Sequence, residues 1–371
     1  MKIGIITYHS AYNFGSVLQA AATQYAVNKL GYETEILNYR MESQYDFYKL
    51  SRKKGIKSII KKLLYGKKIK ELEERELRFE KFITEKMNLT DEFSKPESVK
   101  LFYRDFDTII SGSDQIWNKH SNELCNVDWK YMNPYILKDF NGRRISYASS
   151  IVNMTTEELN KIKEQLKLFY AISCREVSAS KRLEKILNKD VCTVCDPTLL
   201  LNKEEWSLYF EKDPIIREDY ILFYSLSSFK RINSVIKKIE NRINNMKIVV
   251  LSPLAPVILS QKSYIMYNAG PEEFLNLINN AKCVITDSYH GTIFSINFGV
   301  DFYYLEDIKK NEVRVRDILN TLKITGRKVT DINQINIEKH VDYKLVNEHI
   351  KEYRKASMEY LELNLSEDSG K

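Results

Sequence analysis

Asp287-Ser288-Tyr289-His290-Gly291 sets an acid, a hydroxyl, a phenol and an imidazole side by side. An imidazole gives and takes protons near neutral pH, and a helix N-terminus behind it would favour an anion. The β-branched run Val284-Ile285-Thr286 predicts a buried strand, and a small-residue apolar helix is expected from Gly291 or Thr292. The result is a strand-turn-helix elbow. Its other reading is purely structural, with Asp287 or Ser288 capping the helix and His290 a satisfied turn residue. A turn at the carboxyl end of an α/β strand is where such folds place ligands, which favours chemistry.

Other polar turns follow short strands. Asn13, Gly15 and Ser16 lie before an expected helix at 20–30, suited to a polar ligand or to a cap. That loop has one glycine, Gly15, instead of the three of a dinucleotide fingerprint, so NAD binding is not supported. Residues 107–118 read as a strand ending in a polar turn, whose Asp114, Gln115 and Asn118 could hold sugar hydroxyls or form an Asx-type turn. Arg175 stands between a short strand and a helix start, a junction suited to bidentate carboxylate or phosphate binding or to an ion pair with Glu176.

The elements that must carry these turns alternate strand and helix along 371 residues, enough for two or three domains. A βαβ opening (strand 3–7, helix 20–30, strand 35–39) is followed by further strand-turn-helix steps, and the rhythm restarts at Tyr220. The architecture expected is α/β: two Rossmann-like domains facing a cleft, GT-B-like, with a C-terminal helix packing back on the first. The first would cover 1–212 with a basic helical insertion at about 49–88, and the second 213–371.

Composition narrows the functional classes. With 43% apolar residues, no run long enough for a membrane span and a start unlike a signal peptide, a cytoplasmic protein is expected. Cys192 and Cys195 form a CxxC, but on a strand that spacing points side chains to opposite faces, so neither zinc nor redox use is expected. Lys49 to Lys70 holds ten Lys or Arg and no acid, with isoleucines and leucines at helical spacing. It reads equally as a helix on an anionic bilayer, which would place the protein at the inner face of the plasma membrane, or as an ordinary surface helix. Glu71 to Lys86 mixes signs at i,i+4 spacing and reads as a solvated helix. The net charge of +7 suits anionic substrates, and no nucleic-acid partner is expected.

Together, Tyr8 to Gln19, Ser111-Gly112-Ser113-Asp114-Gln115-Ile116-Trp117, Arg175-Glu176 with Ser178 and Ser180, Asp196-Pro197-Thr198 and Asp287 to Gly291 resemble the polysaccharide pyruvyl transferase family, in order over about residues 1–325. The resemblance implies a GT-B-like fold and transfer of a pyruvyl group from phosphoenolpyruvate to sugar hydroxyls of a cell-surface glycan or its lipid-linked precursor. No cofactor or metal is implied. Donor and chemistry would fall to Arg175 and His290, with Ser288, Tyr289, Gly291 and Thr292 around them, and the acceptor to Asn13, Gly15, Ser16, Asp114 and Gln115. Many members carry Arg-Leu before that histidine, where this chain has Ser288 and Tyr289. A nucleotide-sugar glycosyltransferase and a non-catalytic glycan-binding relative are the alternative readings, since the fold alone serves all three.

Overall fold

A computed structural model of the chain describes residues 1–44, 68–120, 128–242, 246–251, 263–306 and 313–366. The basic stretch from Lys49 lies outside these up to residue 67. Of its end, Lys68 stacks its ammonium over the Tyr267 ring, 4.3 Å from the centroid. Among the described residues no helix is long and apolar enough to cross a membrane.

The chain forms two compact units. The first comprises 1–49, 83–201 and 351–371, and the second 50–82 and 202–350. This differs from the halves 1–212 and 213–371 expected from sequence, because two helices change allegiance along their length.

In the first unit β1 (Lys2–Ile6), β2 (Glu33–Ile36), β3 (Thr108–Ser111) and β4 (Arg143–Ser146) form a parallel sheet in the order β2-β1-β3-β4. Parallel bridges Ile36↔Leu89 and Tyr39↔Phe93 extend it on one side. On the other, Ile145↔Ala171 and Ser149↔Cys174 lead to β5 (Ser173–Cys174) and β6 (Cys192–Thr193). The strand order therefore reverses between β1 and β3. Helix α1 (Phe14–Lys29) begins six residues before the position expected from sequence and is buried on nearly every side. Its small residues Gly15, Ser16, Ala20, Ala21 and Ala22 are what allow that.

Helix α2 (Ile69–Lys86) departs from the solvated helix its charges predict. Leu72, Arg75, Phe79, Phe82 and Ile83 are buried, a stripe at helical spacing inside a mixed-charge sequence. Leu72 joins the core of the second unit, and Arg78 pairs with Glu273 at 2.7 Å there, so residues up to 82 belong with that unit.

Helices α3 (Thr156–Lys167) and α4 (Val177–Leu187) complete the first unit's sequence of layers. Cys192 is exposed and Cys195 buried, with burial pushing the Cys195 thiol up to about 11.

The second unit carries β7 (Tyr220–Tyr224), β8 (Lys247–Leu251), β9 (Ser263–Ile265), β10 (Cys283–Thr286), β11 (Phe302–Leu305) and β12 (Lys328–Val329), all parallel, in the order β9-β8-β7-β10-β11-β12. Here the reversal lies between β7 and β10, the Rossmann arrangement. Helix α5 (Phe229–Arg242) supplies Ile232, Ile236 and Ile239 to the core on one face. On the other, α6 (Pro271–Asn279) and α7 (Tyr289–Phe298) meet through edge-on rings of Phe274 and Phe294, 5.7 Å apart. Helix α8 (Val313–Thr321) follows.

The last helix, α9 (Tyr343–Leu365), starts in the second unit and from residue 351 belongs to the first. It packs on the first unit as the sequence predicted. Tyr353 and Tyr360 donate hydroxyl hydrogen bonds to the carbonyls of Val194 and Ser146, both at 2.9 Å, and Ser357 Oγ accepts from the Cys195 amide at 2.8 Å. Tyr360→Phe removes one buried donor and leaves the Ser146 carbonyl without it. A loss of about 1–2 kcal/mol in denaturant unfolding, with no change in the m-value, is the expected outcome.

Candidate active site

The elbow lies where the second sheet reverses its strand order. Asp287 follows β10 directly and fastens the loop that follows β7. Its Oδ2 accepts from Ser225 Oγ at 2.6 Å and Ser227 Oγ at 2.5 Å, and its Oδ1 from the Leu226 amide at 2.8 Å. Its task is to hold two loops in place.

Ser288 is the N-cap of α7, with extended backbone (φ −99°, ψ 134°). Its amide donates to Thr286 Oγ1 at 3.0 Å, its Oγ accepts from the Gly291 amide at 3.4 Å, and its carbonyl accepts from the Thr292 amide at 3.0 Å. Two corrections to the sequence reading follow. The helix starts at Tyr289, two residues early, so His290 belongs to its first turn. The amides of Gly291 and Thr292, expected to bind an anion, are spent on the cap and on the first helical bond. Gly291 has a steric reason: a Cβ there would stand 2.6 Å from Thr286 Oγ1 and 2.9 Å from Tyr224 Cδ1.

His290 is 8% exposed, and the Tyr289 ring stands edge-on to it at 5.2 Å. Three arginines that the sequence reading did not single out stand at this end of the unit. The Arg314 guanidinium, on α8, lies 5.3 Å from the Tyr289 ring centroid. Arg231 Nη2, on α5, donates to the carbonyls of Leu305 at 3.2 Å and Glu306 at 2.9 Å, at the carboxyl end of β11. Arg75, on α2, is buried and acts on Tyr224, at the end of β7. Burial pushes that phenol well up from its usual range, while a hydrogen bond with Ser288 and the charge of Arg75 pull the other way. Only α2's buried stripe could have pointed to Arg75, and mixed charge masks it.

The first unit has a corresponding place, between β1 and β3. Gln19 joins its loops: Oε1 accepts from the Ser113 amide at 3.2 Å, while Nε2 donates to Thr7 Oγ1 and the Ser16 carbonyl, both at 2.8 Å. Asn13 caps α1, its Oδ1 accepting from Gly15 N at 3.0 Å and Ser16 N at 3.5 Å. Ser16 Oγ donates to Asp114 Oδ2 at 2.6 Å, the Gln115 amide donates to Asp114 Oδ1 at 2.8 Å, and Asn118 Nδ2 donates to Gln115 Oε1 at 2.6 Å. All five residues expected to meet the acceptor, Asn13, Gly15, Ser16, Asp114 and Gln115, are thus brought together.

Arg175 is with them. Its Nη1 lies 2.9 Å from Asp196 Oδ2, its Nε 3.0 Å from Glu176 Oε1 and its Nη2 3.7 Å from Asp114 Oδ1, with the side chain 1% exposed. It belongs to the first unit and His290 to the second. The resemblance sets both on the donor; around the Arg175 guanidinium stand the carboxylates of Asp196, Glu176 and Asp114. Among the described residues no group of three His, Cys, Asp or Glu is arranged to hold a metal ion.

Two parallel sheets, each with the Rossmann reversal and polar loops at its carboxyl edge, define a two-domain α/β fold of the GT-B-like class. Solved structures agree. A putative UDP-N-acetylglucosamine 2-epimerase from Listeria monocytogenes matches over 96% of this chain and 90% of its own, with 11% identity and a TM-score of 0.52. The UDP-GlcNAc 2-epimerase of Methanocaldococcus jannaschii, in complex with UDP-GlcNAc and UDP, matches over 97% and 98%, with 14% identity and a TM-score of 0.50. At such identities the likeness is one of fold. No curated protein matches the sequence. The family model for polysaccharide pyruvyl transferases matches residues 13–307, and the chain belongs to that family of transferases.

Gly291→Ala tests the packing at the elbow. The added methyl must displace Thr286 or Tyr224, so a loss of about 1–3 kcal/mol in thermal or denaturant unfolding is expected.

Proposed function

We propose that the chain moves a pyruvyl group from phosphoenolpyruvate to hydroxyls of a cell-surface glycan or its lipid-linked precursor. The observation that carries this reading, beside family membership, is His290 in the first turn of α7 at the reversal of the second sheet, with the Arg314 guanidinium 5.3 Å from the ring centroid of the adjacent Tyr289. A guanidinium over the ring next to His290 brings a positive charge that suits a carboxylate or phosphate. In this reading Arg314 takes the donor-anion role that the sequence gave to Arg175. Arg75 and Arg231 add positive potential at the same edge of the sheet.

The chemistry needs a proton on the methylene carbon of phosphoenolpyruvate, giving an oxocarbenium-like centre at C2. A sugar hydroxyl then forms a bond to C2 and loses its proton. Breaking the C2–O bond to phosphate and adding a second hydroxyl completes a cyclic ketal, and of the two hydroxyl protons one is balanced by the new methyl group and the other leaves with phosphate. His290 is the acid for the first step. The sugar hydroxyls belong to the carboxyl end of the first sheet, where Asn13, Ser16, Asp114 and Gln115 offer donors and acceptors. Ser288, Gly291 and Thr292 shape the start of α7 and hold His290 in position. A peripheral position at the inner face of the plasma membrane, through Lys49 to Lys70, completes the proposal, since a lipid-linked acceptor would lie there.

Thermal unfolding with millimolar phosphoenolpyruvate is the direct test. A ligand at about 100 times its dissociation constant adds roughly 2.7 kcal/mol to the folded state. The wild type is expected to shift, Arg314→Ala to lose most of the shift, and His290→Asn to keep it while phosphate release with a panel of p-nitrophenyl glycosides falls about 10²–10⁴-fold. A shift with UDP-GlcNAc and none with phosphoenolpyruvate would overturn the proposal in favour of a nucleotide-sugar donor. Neither shift, with no turnover of any glycoside, would leave a glycan-binding relative.

A further inference from the structure

One phenol at the carboxyl edge of the first sheet has no part in the chemistry of the transfer. Tyr135 lies in the connection from β3 to β4 and is 0% exposed. Its backbone is pinned: Ser111 Oγ, at the end of β3, and Trp117 Nε1, in the loop that follows, both donate to its carbonyl, at 2.5 and 3.1 Å. Its ring is pinned as well. Tyr8, which follows β1, stands edge-on to it at 5.1 Å, and Tyr39, which follows β2, lies tilted against it at 5.6 Å. Residues at three strand ends thus fix one side chain.

The hydroxyl at its tip has no hydrogen-bond partner. Burying a hydroxyl unpaired costs stability, and a phenylalanine would fill the same space and make the same ring contacts without that cost. The fold therefore holds ready a group that it does not itself satisfy. Burial pushes this phenol well up from its usual range, with Tyr39, Tyr131 and Asp114 adding to the effect, so it stays protonated and neutral. A neutral phenol donates one hydrogen bond and accepts others, which is the complement of a ligand hydroxyl. Ser16 and the Asp114 loop gather their polar groups at the same edge of the same sheet.

We propose that Tyr135 is a specificity-determining residue of the acceptor site: its hydroxyl pairs with one particular hydroxyl of the acceptor sugar. The identity of the ligand rests on the pyruvyl-transfer reading, and the residues involved belong to the first unit alone. Tyr8 and Tyr39, the rings packed on Tyr135, are 3% and 2% exposed, so the sugar reaches the hydroxyl when one of them turns aside. Binding then satisfies the buried group. A sugar lacking the matching hydroxyl leaves it unpaired, and discrimination between sugars follows from that penalty.

Tyr135→Phe deletes the hydroxyl and keeps the ring. The readouts are the thermal midpoint without ligand, the phosphoenolpyruvate-induced shift, and kcat/KM for the best-turned-over p-nitrophenyl glycoside and for its monodeoxy analogues. The midpoint is expected to rise by about 1–5 °C, because an unpaired buried group is removed. The phosphoenolpyruvate shift is expected to stay within about twofold, while kcat/KM for the glycoside falls about 10–100-fold. One monodeoxy analogue is expected to lose a similar factor with the wild type and little more with Tyr135→Phe, a coupling that a merely structural tyrosine does not produce. That coupling decides. Unchanged glycoside kinetics in Tyr135→Phe, or losses that simply add for every analogue, would overturn the inference and leave the pyruvyl-transfer reading standing; a lowered midpoint alongside would assign the hydroxyl to an internal water. A variant that fails to fold makes the hydroxyl structural and overturns the inference too. A wild type that neither shifts with phosphoenolpyruvate nor turns over any glycoside removes the underlying reading, and the inference with it.

Discussion

A parallel sheet whose strand order reverses leaves one gap at its carboxyl edge, where successive connections depart to opposite faces and no helix covers the loop backbone. Buried polar groups in such a gap need partners, and side chains must supply them. Both units place an aspartate there. Asp287 is surrounded by two hydroxyls and an amide, all neutral donors, and ties the loops after β7 and β10 together. Asp114 receives a hydroxyl and the amide of its own loop, and beyond them a guanidinium. The same position in the same topology therefore holds a carboxylate among neutral donors in one unit and a buried carboxylate within reach of a guanidinium in the other.

The arginines divide in a complementary way. Arg175 is enclosed by acids, so the carboxyl edge of the first sheet carries excess negative charge that suits hydroxyl donors. The second sheet has Arg75, Arg231 and Arg314 at its carboxyl edge, from helices on different sides, against Asp287 and Glu306. Positive potential there suits anions.

Much of this was legible in the chain itself. Short β-branched runs marked β1, β3, β7, β8 and β10, and Pro271 marked the start of α6, because buried parallel strands and helix first turns tolerate few alternatives. The elbow and the Asp114 loop showed as polar turns after short strands, and the resemblance tied them together. What the sequence concealed was of three kinds. Starts of helices were set late at α1 and α7, since Asn13 and Ser288 cap through side-chain bonds that small and aromatic residues behind them obscure. The buried stripe of α2 was hidden under charges of both signs, and with it Arg75. The partners of Arg175 lie 61 residues before it and 21 after it as well as beside it, so no local pattern could distinguish a buried ion-pair cluster from an anion site.

The division of the chain also bears on how the molecule is assembled. The backbone leaves the first unit after residue 49, returns at 83, leaves again after 201 and returns at 351. Tyr360 closes on Ser146 at a sequence separation of 214, and Ser357 on Cys195 at 162. Contacts of such separation carry a large loop-closure entropy and form late. The unit that holds the amino terminus is thus the one completed last: during synthesis its sheet can form early, with Ser173 Oγ donating to the Ser146 carbonyl at 2.9 Å, but the Tyr360 hydroxyl reaches that carbonyl only after the second unit has been made.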